Sequence, residues 1–216
     1  MSLDFKQFEM QAKKASYTNY MAMIFSNASI RLSYVLVHTP VTPDQVTLLS
    51  TFIGLMGAVM ILHPTYYFRI LGIVVWFVAY VMDFCDGEIA RFKNMQSEFG
   101  HWFDEVTDRL KDVGLYTAIT LLAFGQSSSL TAVLFGLLAL GGTLLYSYAI
   151  TYRFSSASQE KKGVSPDKFG HVNYAIMAVL VALDWPQIFL MFVTAVTYSS
   201  LAIKIYSARH RVAGSP

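Results

Sequence analysis

Long apolar stretches alternate with short polar segments along most of the chain. Beyond Pro43, six apolar stretches occupy about residues 46–63, 68–92, 101–124, 129–152, 170–184 and 187–206. Residues that interrupt helices separate them, at His63–Pro64 and at residues 125–129, 163–166 and 184–186. Because a helix needs roughly 20 apolar residues to cross the hydrocarbon core of a bilayer, the pattern predicts an all-α membrane protein with six transmembrane helices, the fifth of them short.

The N-terminal segment has a different pattern. Apolar residues such as Phe8 and Tyr17 recur among lysines and polar residues, and prolines end the segment at residues 39–43. We interpret it as an amphipathic helix lying in the membrane interface, the alternative being a soluble helix that caps the bundle. The predicted domains are therefore an N-terminal juxtamembrane segment, 1–42, and a six-helix transmembrane domain, 43–216.

Composition and charge agree with a membrane protein. Hydrophobic residues make up 55% of the chain and charged residues 14%, against roughly 25% charged in soluble domains. With six spans, every Lys and Arg except Arg69 falls on one side of the membrane, so the positive-inside rule predicts that both termini are cytoplasmic. The single cysteine, Cys85, excludes an internal disulfide and a cysteine zinc cluster.

Acidic residues concentrate where predicted spans two and three meet. Eight of the 14 acidic residues lie between Asp83 and Asp112. Asp83 and Asp86 are spaced i, i+3, and Asp104 and Asp108 are spaced i, i+4, so each pair shares one helix face. Neighbouring carboxylates repel unless they are protonated or bridged by cations, and hard divalent cations prefer oxygen ligands. The spacing therefore predicts a divalent metal site near the cytoplasmic surface.

Small residues and one arginine accompany these acids. Gly87, Ala90 and Gly100 lie on the same predicted faces and leave room for a bulky group close to the backbone. Arg91 offers a planar fork of donors suited to phosphate oxygens. The other acids of the region fall off the shared faces and are expected on the surface or behind the ligands: Glu88, Glu98, Glu105 and Asp112.

The pattern D-x2-D-G-x2-A-R-x8-G-x3-D-x3-D runs from Asp83 to Asp108. It resembles the signature of the CDP-alcohol phosphotransferases at every fixed position, and a looser similarity extends from about Pro43 to Lys111. The resemblance implies transfer of a substituted phosphate from a CDP-linked donor, most plausibly CDP-diacylglycerol, to a polar alcohol, with release of CMP. It also implies a homodimer. Membrane lipids are expected partners, and nucleic acid is not.

The resemblance implies a role for each motif position. Asp83, Asp86 and Asp104 correspond to metal ligands. Asp108 corresponds to the general base and also to a ligand of a second metal. Mg²⁺ is the expected ion, with Mn²⁺ as a substitute. The nucleotide is expected against five positions: Thr47, Gly87, Ala90, Arg91 and Gly100. Asp44 stands where the family more often has Asn, and we interpret it as the N-cap of the first span.

The acceptor is less well defined by the sequence. The residues around the motif look most like the branch that uses inositol phosphate, which includes phosphatidylinositol-phosphate and di-inositol-phosphate phosphate synthases. Lys111, Arg153 and Lys204 are candidates to bind an acceptor phosphate. However, the segments near Arg153 and at residues 169–173 are poor in arginine. A neutral acceptor, or transfer from a CDP-amino-alcohol to diacylglycerol, therefore stays open.

The acidic residues are also compatible with two other functions. The aspartates could instead form the ion site of a cation transporter, or the chain could be a catalytically silent scaffold. The chain has no glycine-rich nucleotide loop and no spacing typical of a serine, histidine and acid triad.

Gly136, Gly141 and Gly142 give span four a small-residue face, which we expect to pack within the chain in preference to a second copy.

Overall fold

The computed structural model describes residues 4–13, 20–151 and 170–213, and this part of the chain is helical apart from short connections. The helices are α1 (Phe5–Ala12), α2 (Tyr20–Leu36), α3 (Pro43–Ile61), α4 (Tyr66–Phe92), α5 (Glu98–Ser127), α6 (Leu130–Thr151), α7 (Gly170–Ala182) and α8 (Pro186–Ala213). The all-α prediction is confirmed for these residues. Arg153 and Tyr17 lie outside them.

Each of the six predicted apolar stretches forms one helix, from α3 to α8. Among the described residues, four segments are long and apolar enough to cross a membrane: Pro43–Ile61, Tyr66–Phe92, Leu130–Ala149 and Pro186–Tyr206. The other two differ for physical reasons, since α5 carries the charged residues of the motif and the described part of α7 has only 13 residues. The structure thus supports an integral membrane protein with four such helices, while six crossings stay a prediction.

The start of α3 corrects one expectation. Thr42, not Asp44, is the N-cap, because the Thr42 side chain accepts a hydrogen bond from Gln45 N and the Gln45 side chain accepts one from Thr42 N. This reciprocal pair satisfies two backbone donors at the helix start. Pro43 occupies the first turn, where its missing N–H costs nothing. Asp44 is exposed in the first turn, where its negative charge interacts favourably with the positive end of the helix dipole.

Large apolar side chains point outward from the four membrane-length helices. Phe52, Val59, Tyr67, Leu137 and Ile203 are between 61% and 81% exposed. Side chains of this size are normally buried when water is the solvent. Exposure of such side chains on all four of these helices is typical of surfaces that face lipid.

The chain divides into two compact units. The first comprises Met1–Leu115 and Ser165–Ala175 and contains the whole motif. Within it, α3 and α4 approach to backbone contact, since a Cβ on Gly57 would lie 2.8 Å from Trp76 N and a Cβ on Gly72 would lie 2.8 Å from Gly57 O. Glycine is required at both positions for this packing.

The N-terminal helix α1 belongs to the same unit. Phe8 and Ala12 are fully buried and pack with Ile30 of α2, against Phe92 of α4 among others. The apolar face of α1 is therefore covered by protein. Its predicted location at the membrane interface remains a prediction.

The second unit comprises Tyr116–Val164 and Ile176–Pro216. Here Gly136 of α6 abuts Thr120 of α5, and Gly142 of α6 abuts Thr197 and Tyr198 of α8. The expectation that the small-residue face packs within the chain is confirmed at these two glycines.

Candidate metal and nucleotide site

The two acidic pairs meet because a tight turn joins α4 to α5. After Phe92, the backbone N–H of Met95 donates to Ala90 O at 2.9 Å, and Asn94 takes a positive φ of 54°. This is the Schellman ending of a helix, with asparagine tolerated in the left-handed position. Ser97 Oγ then accepts from Gly100 N at 2.9 Å, as an N-cap does. These local hydrogen bonds reverse the chain between α4 and α5, so the two halves of the motif come together.

Three of the four motif aspartates converge. Asp83 of α4 and Asp104 and Asp108 of α5 each offer a carboxylate oxygen, and these atoms all lie within 4.8 Å of one another. Ligands on opposite sides of a magnesium or calcium ion lie roughly 4–5 Å apart. The arrangement therefore fits one divalent ion held by both helices. We call these three residues the aspartate cluster.

Asp86 has a different environment from the cluster. It is buried, and Thr47 Oγ1 of α3 donates to its Oδ2 at 2.5 Å. The backbone N–H of Gly87 donates to its other oxygen. Two protein donors thus hold Asp86 in one orientation, with Thr47, predicted to contact the nucleotide, as its partner.

Lys111 lies against the aspartate cluster. Its ammonium is paired with Asp83 Oδ1 and lies 2.8 Å from Asp108 Oδ1, and its side chain is only 8% exposed. The spacing from Asp108 is i, i+3, so one helix face carries both residues. The predicted role of Lys111 in binding an acceptor phosphate stays a prediction.

A pocket of about 390 Å³ opens beside the acids in the first unit. This volume lies in the range of small-molecule sites, roughly 300–1,000 Å³. All five predicted nucleotide positions contribute to its lining: Thr47, Gly87, Ala90, Arg91 and Gly100. Asp86 and Asp104 line it as well. The structure therefore brings two of the motif aspartates and every predicted nucleotide position to one cavity.

Glycine keeps this pocket open on two sides. A Cβ on Gly87 would lie 3.2 Å from Arg91 Nη1, and a Cβ on Gly100 would lie 3.1 Å from Ser97 Oγ. The Arg91 guanidinium is itself fixed, since its Nε donates to Ala12 O, the last carbonyl of α1, at 2.6 Å. The C-terminal end of a helix carries partial negative charge and favours a cation there.

Lys204 and Arg153 are the other two predicted acceptor residues. The structure places Lys204 in the second unit, with its ammonium 4.8 Å from the centroid of the Tyr146 ring. Arg153 lies outside the described residues. Neither observation tests a role in binding the acceptor.

Two acids that were expected on the surface or behind the ligands, Glu88 and Asp112, are buried, and both oxygens of each have protein partners. Glu88 is 0% exposed, and Ser29 and Ser33 of α2 donate to its two oxygens at 2.7 Å each. Asp112 is 2% exposed, and it accepts from Tyr174 at 2.7 Å and pairs with Arg109 at 2.8 Å.

A signal for the first of these was present in the sequence. Ser29 and Ser33 recur at helical spacing in an apolar segment, and both are 0% exposed. A polar stripe of this kind needs a polar partner opposite, because buried hydroxyls are rarely left without a hydrogen bond.

Apolar membrane-length helices, a convergent carboxylate cluster and an adjoining polar pocket together define an integral membrane protein with a site suited to a divalent cation. The family model for the CDP-alcohol phosphatidyltransferases matches residues 40–203. The chain belongs to this family, whose members are phosphotransferases of phospholipid synthesis. The family depends on a divalent metal and uses a CDP-alcohol donor and an alcohol acceptor.

Curated relatives with named activities are similar to part of the chain. A bifunctional IPC transferase and DIPP synthase of Rubrobacter xylanophilus is 39% identical over 113 residues, which is 52% of this chain and 24% of that protein. The protein of the same name from Aquifex aeolicus is 32% identical over 129 residues, 60% of this chain and 28% of that one. A phosphatidylinositol phosphate synthase of Streptomyces avermitilis is 28% identical over 138 residues, 63% of this chain and 56% of the relative. The chain thus spans about a quarter to about half of the length of these relatives.

Proposed function

We propose that this chain transfers the phosphatidyl group of CDP-diacylglycerol to the hydroxyl of a polar alcohol such as inositol phosphate and releases CMP. The single observation that carries the proposal is the pocket that joins the five predicted nucleotide positions to Asp86 and Asp104. A cytidine nucleotide in this pocket would have its phosphates next to the carboxylates. Carboxylates repel phosphates, so the arrangement serves a nucleotide only if a cation lies between them.

One relative's name supports transfer of a phosphatidyl group to an inositol-type acceptor. One is named a phosphatidylinositol phosphate synthase, and others are named IPC transferase and DIPP synthase. We infer from them an inositol-type acceptor, which agrees with the branch that the motif resembles. The alternative is transfer from a CDP-amino-alcohol to diacylglycerol. An assay in which a CDP-amino-alcohol replaces CDP-diacylglycerol as the donor would detect it.

The proposed step breaks one P–O bond and forms another. The acceptor oxygen attacks the phosphorus that carries the diacylglycerol, and the bond from that phosphorus to the CMP oxygen breaks, so CMP leaves with the electron pair. We propose that Asp108, whose side chain is 35% exposed, takes the acceptor proton. Asp83, Asp86, Asp104 and Asp108 would hold Mg²⁺, which supplies positive charge to the diphosphate. Arg91 would orient the phosphates through its guanidinium.

Release of CMP by detergent-purified protein tests this proposal. CDP-diacylglycerol is the donor, and the acceptors are inositol phosphate, inositol, glycerol phosphate and serine, each with Mg²⁺ and with a chelator. We expect CMP only with Mg²⁺ and an acceptor, and most rapidly with inositol phosphate. CMP release from CDP-ethanolamine and diacylglycerol, with none from CDP-diacylglycerol, would contradict the proposed donor.

We also propose that α3 to α8 each cross the membrane and that the motif and both termini face the cytoplasm. The distribution of lysine and arginine supports this orientation. The chain suits a labelling test, because its one cysteine, Cys85, is buried. In sealed cells, an impermeant maleimide should label His63→Cys, in the connection before α4, and leave Met95→Cys, in the connection after it, unlabelled until lysis. The opposite pattern would overturn the orientation.

The resemblance to the family further supports a homodimer, which we propose for the protein in detergent. Light scattering that corrects for bound detergent should give twice the chain mass. A single chain mass across the concentration range of the assay would contradict it.

A further inference from the structure

The first helix of the chain ends beside the nucleotide pocket. Arg91 of α4 lines this pocket, and its Nε donates at 2.6 Å to Ala12 O, the carbonyl of the last residue of α1. The two residues are 79 positions apart in the chain. A backbone oxygen of α1 is therefore in direct contact with a side chain that we propose to bind phosphate.

The contact with α1 uses one end of the guanidinium. This group carries five N–H donors in a rigid planar fork, and in the described contacts Ala12 O takes the donor on Nε. The other end of the fork lies beside Gly87, since a Cβ there would lie 3.2 Å from Arg91 Nη1 and 3.8 Å from Nη2. Gly87 also lines the pocket. The hydrogen bond thus fixes the guanidinium and leaves its outer donors at the pocket.

Apolar packing anchors α1 next to this hydrogen bond. Phe8 and Ala12 lie one helical turn apart on the buried face of α1, and both are 0% exposed. The Phe8 ring lies 5.0 Å from the ring of Phe92 and 5.6 Å from that of Tyr34, measured between centroids. Phe92 follows Arg91 in the chain, so α1 is packed on the same turn of α4 that it holds by the hydrogen bond.

An arginine that is already ordered favours ligand binding for an entropic reason. The arginine side chain has many rotamers, and a ligand that binds a mobile one must order it. The partial negative charge at the C-terminal end of α1 also favours the cation at this position. Without α1, the nucleotide would have to order Arg91 itself and would bind about tenfold more weakly.

We propose that α1 is a positioning element of the nucleotide site: the carbonyl of Ala12 orients the Arg91 guanidinium towards the nucleotide phosphates, so docking of α1 and binding of the nucleotide strengthen each other. The inference rests on the proposed function, because it assumes that the pocket binds a cytidine nucleotide. It gives α1 a function in nucleotide binding, beyond its predicted place at the membrane interface.

A substitution at Ala12 tests this role. Ala12→Leu adds a bulky side chain at a fully buried position and should push the end of α1 away from α4, which faster amide hydrogen exchange in α1 would register. Calorimetry on detergent-purified protein with saturating Mg²⁺ should then show about tenfold weaker binding of CMP. The matched control is Gln11→Leu, which introduces the same side chain at the exposed neighbouring position and should leave the CMP affinity unchanged.

A double variant shows whether the effect passes through Arg91. Arg91→Gln should also weaken CMP binding, and Ala12→Leu should add nothing to it, because the carbonyl then has no guanidinium to orient. Losses that multiply in the double variant would overturn the inference. Unchanged CMP affinity in an Ala12→Leu protein whose α1 exchanges faster would overturn it as well.

The unaltered protein supplies a test that needs no variant to fold. Because coupling between two equilibria is reciprocal, saturating CMP should slow amide hydrogen exchange in α1 by the same factor of about ten. Exchange in α1 that does not change when CMP binds would overturn the inference and leave the proposed function standing. Failure of the unaltered protein to bind CMP would overturn both the inference and the proposed function.

Discussion

Two groups of acids lie side by side on α4 and α5, and their surroundings differ. Each oxygen of Glu88 accepts a hydrogen bond from a serine, and the two oxygens of Asp112 are held by Tyr174 and Arg109. The members of the aspartate cluster instead face one another, with the ammonium of Lys111 on two of them. A carboxylate whose oxygens are both taken by protein donors supports the fold. Carboxylates that face one another still need a cation.

This difference explains why burial alone does not identify the residues proposed to bind metal and to act in catalysis. Glu88 and Asp112 are 0% and 2% exposed, whereas the side chain of Asp108 is 35% exposed. The groups proposed for chemistry need access to metal and substrate, and the supporting acids need none. Asp86 is intermediate, since it has two protein donors and also lines the pocket.

The largest effect should come from the aspartate cluster. Asp104→Asn keeps the size of the side chain and removes its charge, so it should weaken metal binding and lower the rate of CMP release by about 10³-fold. Glu88→Gln makes the same chemical change at a supporting acid and is the matched control. Equal rate losses in the two variants, with both folded, would remove the distinction between the groups.

A smaller effect on stability should come from Glu88. Glu88→Ala leaves the hydroxyls of Ser29 and Ser33 buried without their partner and creates a cavity, so it should lower the free energy of unfolding by about 2–4 kcal/mol. Denaturant titration in detergent measures this loss. The rate of CMP release per folded molecule should change less than about threefold, which is well under the loss expected for Asp104→Asn. A large loss of rate with unchanged stability would instead place Glu88 in the chemistry.

The smallest effect should come from Tyr174. Tyr174→Phe removes the hydrogen bond to Asp112 and keeps the ring, which contacts Trp76 and Tyr80 at 5.9 and 5.0 Å between centroids. Because Arg109 still pairs with Asp112, stability should fall by only about 1 kcal/mol. The same denaturant titration measures it, and a loss as large as that of Glu88→Ala would show that Arg109 does not compensate.

Much of the fold and of the site could be predicted from the sequence, because local signals determine them. Apolar length and helix breakers predicted α3 to α8, and the spacing of Asp104 and Asp108 predicted a shared face. The turn between α4 and α5 depends on Asn94 and Ser97, which are only three positions apart in the chain.

The features that escaped prediction depend on contacts between distant segments. The pairing of Lys111 with Asp83 requires the two helices to fold together, and the burial of Glu88 requires α2 to dock on α4. The N-cap of α3 could not be predicted for a different reason. Thr42 and Asp44 are both good capping residues, and the reciprocal bonds with Gln45 decide between them.

The central claim is that the aspartate cluster holds a divalent cation shared with a cytidine nucleotide in the adjoining pocket. Titration of Mn²⁺ into detergent-purified protein, with and without saturating CMP, tests it most directly. We expect Mn²⁺ to bind about tenfold more tightly with CMP, and CMP to bind more tightly with Mn²⁺ by the same factor, because coupling between two ligands is reciprocal. Mn²⁺ affinity that is indifferent to CMP would contradict the claim and would favour an ion site such as a transporter uses.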